Sequence, residues 1–312
     1  MEDLKIYRRL DITSPVMIAG WPGMGNVALV AVDYIRRKLN AVKFAEIKTD
    51  PMNTMDFVAV DKGYAFMPSP LKSTFYYTKS PAMVIFEGEA QLPGQDGIRL
   101  LKKVIESAIS FNVTRIYTCA ALPASISHSD PVQLYGAANR KLLAPIFNKF
   151  GIRHMESGHI SGLNGLTLGL ARERNMDAAC LLATIPQYAI ALPNPKASIA
   201  VTALLGKILR FEIDLSELEE YAGTMEEKMA QIEEKVKDVL IIDSMHMDNN
   251  HEESKVFGIE KKVPLYIKEK IEKLFLETRQ DRTKAVMLKK ELDRWDLYKA
   301  YEDRFLDLFK NG

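Results

Sequence analysis

The stretch Val16–Ile35, VMIAGWPGMGNVALVAVDYI, constrains what this chain can fold into more than any other. A short apolar run, Val16–Ala19, enters a turn holding Gly20, Pro22, Gly23 and Gly25. Beyond Asn26, apolar residues recur at three- and four-residue steps (Val27, Val30, Ala31, then Tyr34 or Ile35). Apolar runs bounded by turn residues predict buried strands, and a 3.6-residue period predicts a helix. The stretch therefore reads as strand, glycine-rich turn and helix, the opening unit of an α/β domain.

The alternation continues to about residue 210. Short apolar runs at 41–47, 57–60, 63–67 and 74–78 are joined by connections too short for crossover helices, so they predict an antiparallel or mixed insertion. A strand at 82–86 leads through GEAQLPGQDG into a helix carrying Leu100, Leu101, Val104, Ile105 and Ala108. Next come a strand at 115–120 and a helix predicted over 132–147, with Leu134, Ala138 and Leu142 on one face. A short strand near 151–156 precedes a second glycine-rich turn, Ser157–Gly165, then a helix at 166–174 and a strand at 178–184. Asn194-Pro195 opens a helix to Leu209, with proline where the first helical turn tolerates it.

Composition shifts after Phe211, which places a core at 1–212 and a helical extension at 213–312. The extension divides into a long helix (214–241), a polar loop (242–260) and further helices (263–309). In the long helix Leu218, Ala222, Met225, Met229, Ile232, Val236 and Val239 step by four and three, an a/d seam. That seam serves either to pack the helix on its own domain or to meet a second subunit.

Charge and targeting signals narrow the classes. A net charge of +1 gives no overall bias towards nucleic acid or acidic lipid. The opening MEDLKIYRRLD lacks the layout of a secretory signal, and Pro22, Gly23 and Gly25 interrupt the uncharged run Val16–Val32. The expectation is a cytoplasmic protein with neither nucleic-acid nor membrane partners. Cys119 and Cys180 sit in apolar runs and read as small buried hydrophobes.

Chemistry-bearing motifs are incomplete. GWPGMGN spaces Gly20 and Gly25 like a P-loop, but Asn26-Val27 stands where the loop needs Lys-Ser/Thr. Its turn amides (Gly23, Met24, Gly25, Asn26) either cradle a small anion at a helix start or simply permit the turn. Glu87 and Glu89 follow a strand at the end of the sheet where α/β ligands bind, and Asn164 and Gly165 repeat the glycine-turn pattern beside His154 and His159. Trp21 and Met24, large and apolar in a turn, mark a contact surface or pack on the insertion; with Leu218, Met225, Met229 and Ile232 they are the interface candidates. Ser127, His128 and Asp130 are the residue types of a hydrolase triad, but G-x-S-x-G is absent. His246 and His251, separated by Asp248, could ligate a metal but fall in a loop without outer groups to orient them, and no Cys/His cluster has zinc spacing, so no metal or cofactor is expected.

Several runs together resemble the proteasome assembly chaperone 2 family in its archaeal and bacterial branch. They are GWPGMGNVALVAVDYI, FEGEAQLPGQDG, GHISGLNGLTLGLARERNMDAACLLATIPQY, PNPKASIAVTALLGKILRFEIDLSELEEYA and LKKELDRWDLYKAYEDRFLDLFK, spread over nearly the whole chain. The resemblance implies a three-layer α/β/α sandwich similar to nucleoside phosphorylases with a C-terminal helical extension. It also implies homo-oligomers, trimers or larger, and a binding role in assembly without catalysis. The alternative is a nucleoside- or phosphate-binding enzyme or sensor using the first glycine turn. Members that dock on the proteasome can end in hydrophobic–Tyr–any residue, whereas this sequence ends Phe309-Lys310-Asn311-Gly312.

Overall fold

The computed structural model describes residues 3–48, 58–67, 71–248, 271, 274–275, 277–278, 284–294 and 297–308, with side chains undescribed at 235–248 and at some positions of the last helices. The chain divides into two compact units, Met1–Asp238 and Val239–Gly312.

The strands are β1 (Asp3–Ile6), β2 (Val16–Gly20), β3 (Val42–Lys48), β4 (Ala59–Asp61), β5 (Tyr64–Phe66), β6 (Lys72–Thr78), β7 (Met83–Gly88), β8 (Arg115–Ala124), β9 (Leu134–Ala138), β10 (Arg153–His154) and β11 (Asp177–Pro186). The helices of the first unit are α1 (Val27–Lys38), α2 (Gly94–Ser110), α3 (Ala144–Lys149), α4 (Gly162–Glu173), α5 (Pro195–Leu209) and α6 (Ser216–Asp248), the last running into the second unit. Nine strands form one sheet in the order β1-β3-β6-β7-β2-β8-β11-β9-β10, while β4 and β5 make a separate hairpin. The centre, β7-β2-β8-β11, is parallel, and β1, β3 and β6 continue it antiparallel on the β7 side. This is the mixed insertion that the short connections predict.

Both faces of the sheet are covered, which is why its central strands read as unbroken apolar runs. On one face Ile18, Ile85, Tyr117 and Leu181 pack under Val32 and Ile35 of α1, Val201 and Leu205 of α5, and Phe147 of α3. On the other, Met17, Val84, Phe86 and Ile116 meet Leu101 and Val104 of α2 and Leu163 and Ala171 of α4. The result is the three-layer α/β/α sandwich. Asn194 caps α5 by accepting a hydrogen bond from the Ala197 amide (3.0 Å), with Pro195 in the first turn.

The helix predicted over 132–147 is corrected. Residues 134–138 instead form β9, which pairs antiparallel with β11, and helix returns only from Lys141. Leu134, Ala138 and Leu142 do fit a helical period, but Gly136 weakens a helix and its missing side chain makes room here. A Cβ at Gly136 would lie 2.7 Å from the Phe147 ring. Sheet pairing outweighs a weak local preference, and Leu142 is left exposed.

The long helix α6 begins at Ser216, two residues after the start expected at 214, and continues through Asp248, past the start of the polar loop expected at 242. Leu218, Ala222, Met225 and Met229 are buried within the chain and Ile232 is half-buried. The helix start is fastened to α1 by Tyr34 Oη donating to the Asp214 carbonyl (2.7 Å) and by Lys38–Glu217 (2.6 Å). The seam as far as Met229 is thus covered inside the protomer, so Leu218, Met225 and Met229 do not present a free interface. The side chains of Val236 and Val239, and all of His251, lie outside the described residues.

The second unit includes α7 (Ala285–Arg294) and α8 (Tyr298–Asp307) and has a core of its own. Ile271, Leu274, Phe275, Leu288, Leu292 and Phe305 cluster there. These helices bury apolar faces in a shared core. Phe309–Gly312 lie outside the described residues.

Candidate functional site

The two glycine-rich turns meet at the end of the sheet where β2 and β8 finish. Between them opens a cleft of about 560 Å³, lined among others by Gly23, Met24, Leu92, Leu122, His159 and Asn164. Its size suits a small-molecule site. Its lining is mostly apolar and, among the described residues, contains no lysine, arginine or carboxylate.

The structure brings Gly23, Met24 and Asn164 together at this cleft and turns the other predicted residues elsewhere. Asn164, almost fully buried, clamps the first turn: its Oδ1 accepts from the Trp21 amide (3.2 Å) and its Nδ2 donates to the Trp21 carbonyl (3.1 Å). Gln91 does the same from the side, donating to the Pro22 carbonyl (2.6 Å) and accepting from the Leu163 amide (2.9 Å). Gly165 lets α4 run close to the preceding loop, since a Cβ there would lie 2.1 Å from the Ile160 carbonyl oxygen. Gln91 went unremarked in the sequence reading, although it lies in the loop after β7 where α/β folds place ligand contacts.

Two of the four amides read as a phosphate cradle in the first turn are engaged by the protein itself. The Gly25 amide donates to the Ile190 carbonyl (2.9 Å) and the Asn26 amide to the Gly23 carbonyl (2.9 Å). Gly25 takes a left-handed φ of 61° and is buried. With those donors engaged and no cation in the cleft lining, a phosphate would gain little there.

Trp21 is not a contact surface. Its indole is fully buried and packs on Phe86 (ring centroids 5.0 Å apart, 48° between planes), in a cluster that also holds Phe44, Phe75 and Phe111. Gly88 allows this, because a Cβ there would lie 2.4 Å from the indole. Met24 remains exposed at the cleft rim.

Glu87 and Glu89 do not form a working pair. Glu87 sits on the α1 side of the sheet and accepts a hydrogen bond from Arg36 Nε (2.6 Å). Burial raises its pKa, and Arg36 offsets this only in part. Burial also pulls Arg36 down, but Glu87 and Asp33 outweigh it and its pKa rises. Glu89 is exposed and accepts from the Lys72 amide (2.9 Å).

The triad residues also part. Asp130 accepts from the Ser127 amide (2.9 Å). Buried Glu233 of α6 receives Ser127 Oγ (2.8 Å), His128 Nδ1 (2.7 Å) and Tyr188 Oη (2.6 Å) on a single oxygen, Oε2. Burial, and then donation to Glu233, raise the Tyr188 pKa. Serine and histidine both point at the carboxylate and not at each other, so the serine–histidine contact of a triad is not formed. The cluster fastens α6 to the loops after β8 and β11. The sequence spacing of 105 residues hid this carboxylate. Burial drives the Cys119 thiol well above its ordinary range and Cys180 up to about 12, so neither is a nucleophile at neutral pH. Among the described residues no group of three His, Cys, Asp or Glu could hold a metal, and no helix is long and apolar enough to cross a membrane.

A second feature rises from the same end of the sheet, since β3 ends and β6 begins there. The β4–β5 hairpin between them exposes Val58, Val60 (66%), Tyr64 (79%), Phe66 (52%) and Met67. Tyr64 and Phe66 share one face of the hairpin, and Val60 and Ala65 share the other.

The chain is similar to PbaB of Pyrococcus furiosus, described as an archaeal proteasome activator: 27% identity and a TM-score of 0.64 over 74% of this chain and 98% of that one. It shares its fold with PbaA of the same organism, described as an archaeal homolog of proteasome-assembly chaperone (17% identity, TM-score 0.59, covering 76% and 99%). It also shares it with a proteasome-assembly chaperone homologue of Mycobacterium tuberculosis (21%, TM-score 0.57, covering 69% and 94%). An uncharacterized protein of Methanocaldococcus jannaschii is 26% identical over 231 residues, 72% of this chain and 86% of its own length. The PAC2 family model matches residues 17–233, from the first buried strand to the carboxylate that fastens α6, and the chain belongs to the PAC2 family.

Proposed function

We propose that this protein is a non-catalytic, homo-oligomeric binding protein that acts in protein assembly, with proteasome subunits as its clients. Family membership supports a chaperone-like role. The observation that carries the protein-binding reading is the β4–β5 hairpin. An isolated two-stranded hairpin is at best marginally stable in water, and this one exposes five large apolar side chains. Such a surface gains most when another protein covers it. Ser127 and His128 both fasten Glu233 of α6 and the two cysteines are buried, which supports a structural use of these residues. The extension from residue 213 would contribute to assembly beyond the residues that cover its seam.

The test is size-exclusion chromatography with light scattering on the full chain, alone and with proteasome core subunits. A multimer that forms a complex with those subunits is expected, and Val60→Ser/Tyr64→Ser/Phe66→Ser should keep the melting temperature yet lose the complex. A monomer that binds no subunit overturns the reading. The cleft favours a second reading as a small-ligand site, for an uncharged compound such as a nucleoside and not a phosphate; a thermal-shift screen of nucleosides against phosphate compounds separates the two.

A further inference from the structure

A concavity of about 780 Å³ lies at the opposite end of the sheet from the cleft. It forms where β9 finishes beside the start of β11, walled by Asn139–Lys141, by His154 of the edge strand β10, and by Arg172 and Asn175 at the end of α4. Three permanent cations line it (Arg140, Lys141 and Arg172), and among the described residues no carboxylate does. Arg140 is oriented by the Asn175 side chain (3.2 Å) and by Asp177 (3.5 Å). Asp177 also faces Arg115 (3.6 Å), so its one charge is shared between two guanidinium groups. The side chains of Lys141 and Arg172 are exposed and have no hydrogen bond or ion pair among the described residues. His154 Nε2 is within 3.1 Å of the Asn148 side-chain oxygen, and its ring packs against Phe147.

Like charges gathered in a concavity focus a positive potential. Guanidinium groups match carboxylates with two parallel hydrogen bonds. The volume falls in the range that encloses a whole drug-sized ligand, far more than one inorganic oxyanion fills. β10 is the terminal strand of the sheet, and among the described residues no strand pairs with its outer edge beside the cations. We infer that this groove docks an acidic peptide segment of a partner protein, its carboxylates meeting Arg140, Lys141 and Arg172. The inference rests on the protein-binding reading above and gives that partner a charge.

The test uses the full chain and a fluorescently labelled hexaglutamate peptide, followed by anisotropy at low salt. Saturable binding that weakens with added salt is expected. Lys141→Glu/Arg172→Glu should lower affinity at least ~10-fold, and Lys141→Gln/Arg172→Gln by less, with unchanged melting temperatures showing that both variants fold. Three results overturn the proposal: no saturable peptide binding, binding indifferent to both double variants, or saturable binding of inorganic pyrophosphate where the peptide fails. Peptide binding without capture of proteasome subunits would leave this groove standing and remove the proposed clients. Capture of subunits without peptide binding would do the reverse.

Discussion

The two glycine-rich turns look alike as sequence and are held in different ways. The first, Gly20–Asn26, is tied down through its own backbone: the Gly25 amide bonds Ile190 and the Gly25 carbonyl accepts from the Asn194 amide (2.7 Å). The second, Ser157–Gly165, contributes a side chain, Asn164, that grips the backbone of the first. One turn is clamped and the other supplies the clamp. A glycine-rich turn before a helix therefore need not be a ligand cradle, because its freed amides can be used up by a neighbouring loop. What remains open to a ligand is the apolar cleft between the turns.

That contrast can be broken by substitution, beginning with the largest effect. Gly165→Val should destabilise by about 3 kcal/mol or more, because its side chain meets the Ile160 carbonyl and the backbone must move. A denaturation midpoint close to that of the unaltered protein would show that the second turn is pliable. Asn164→Ala leaves a buried amide and carbonyl of Trp21 without partners and should cost about 2–4 kcal/mol. Asn194→Ala removes the α5 cap while leaving the backbone bond to Gly25, so about 1 kcal/mol is expected. If Asn194→Ala proves costlier than Asn164→Ala, the side-chain grip of Asn164 on Trp21 is not the main fastening of the first turn.

The smallest effect concerns Glu87 and is best seen as pH dependence. Burial raises its folded pKa above 4.5, so the native state keeps this proton to higher pH than the unfolded chain. Its contribution is then fully present below 4.5 and is lost as the pH rises through the raised value. Glu87→Gln should flatten that part of the stability–pH profile and change stability at pH 7 by under about 1 kcal/mol. Unfolding midpoints measured from pH 4 to 7 in both proteins check the sign; a profile whose stability rises through this interval in the unaltered protein and not in the variant would reverse it.

Much of the architecture was legible because it rests on local chemistry. Val16–Gly20 is apolar throughout because helices cover both faces of its strand, and the Leu100–Ala108 stripe follows from one buried helix face. Asn194-Pro195 announced a helix start through a cap and a fixed φ, and the structure contains both. The heptad seam of α6 was visible too, since its period does not depend on what covers it. The helix predicted at 132–147 failed for the converse reason. Leu134–Ala138 has no decisive local preference, and only its pairing with β11 makes it a strand.

The sequence by itself determined the strand–helix order, the buried positions of the central sheet and the incompleteness of every catalytic motif, because each depends on residue type and near-neighbour spacing. The tertiary structure alone decided which polar groups meet. It set Glu233 against Ser127 and His128, turned Glu87 towards Arg36, engaged two amides of the first turn, and gathered Arg140, Lys141 and Arg172 around one groove. Hydrogen bonds and charges act over a few ångströms in space, and residues a hundred positions apart come within that range only when the chain is packed.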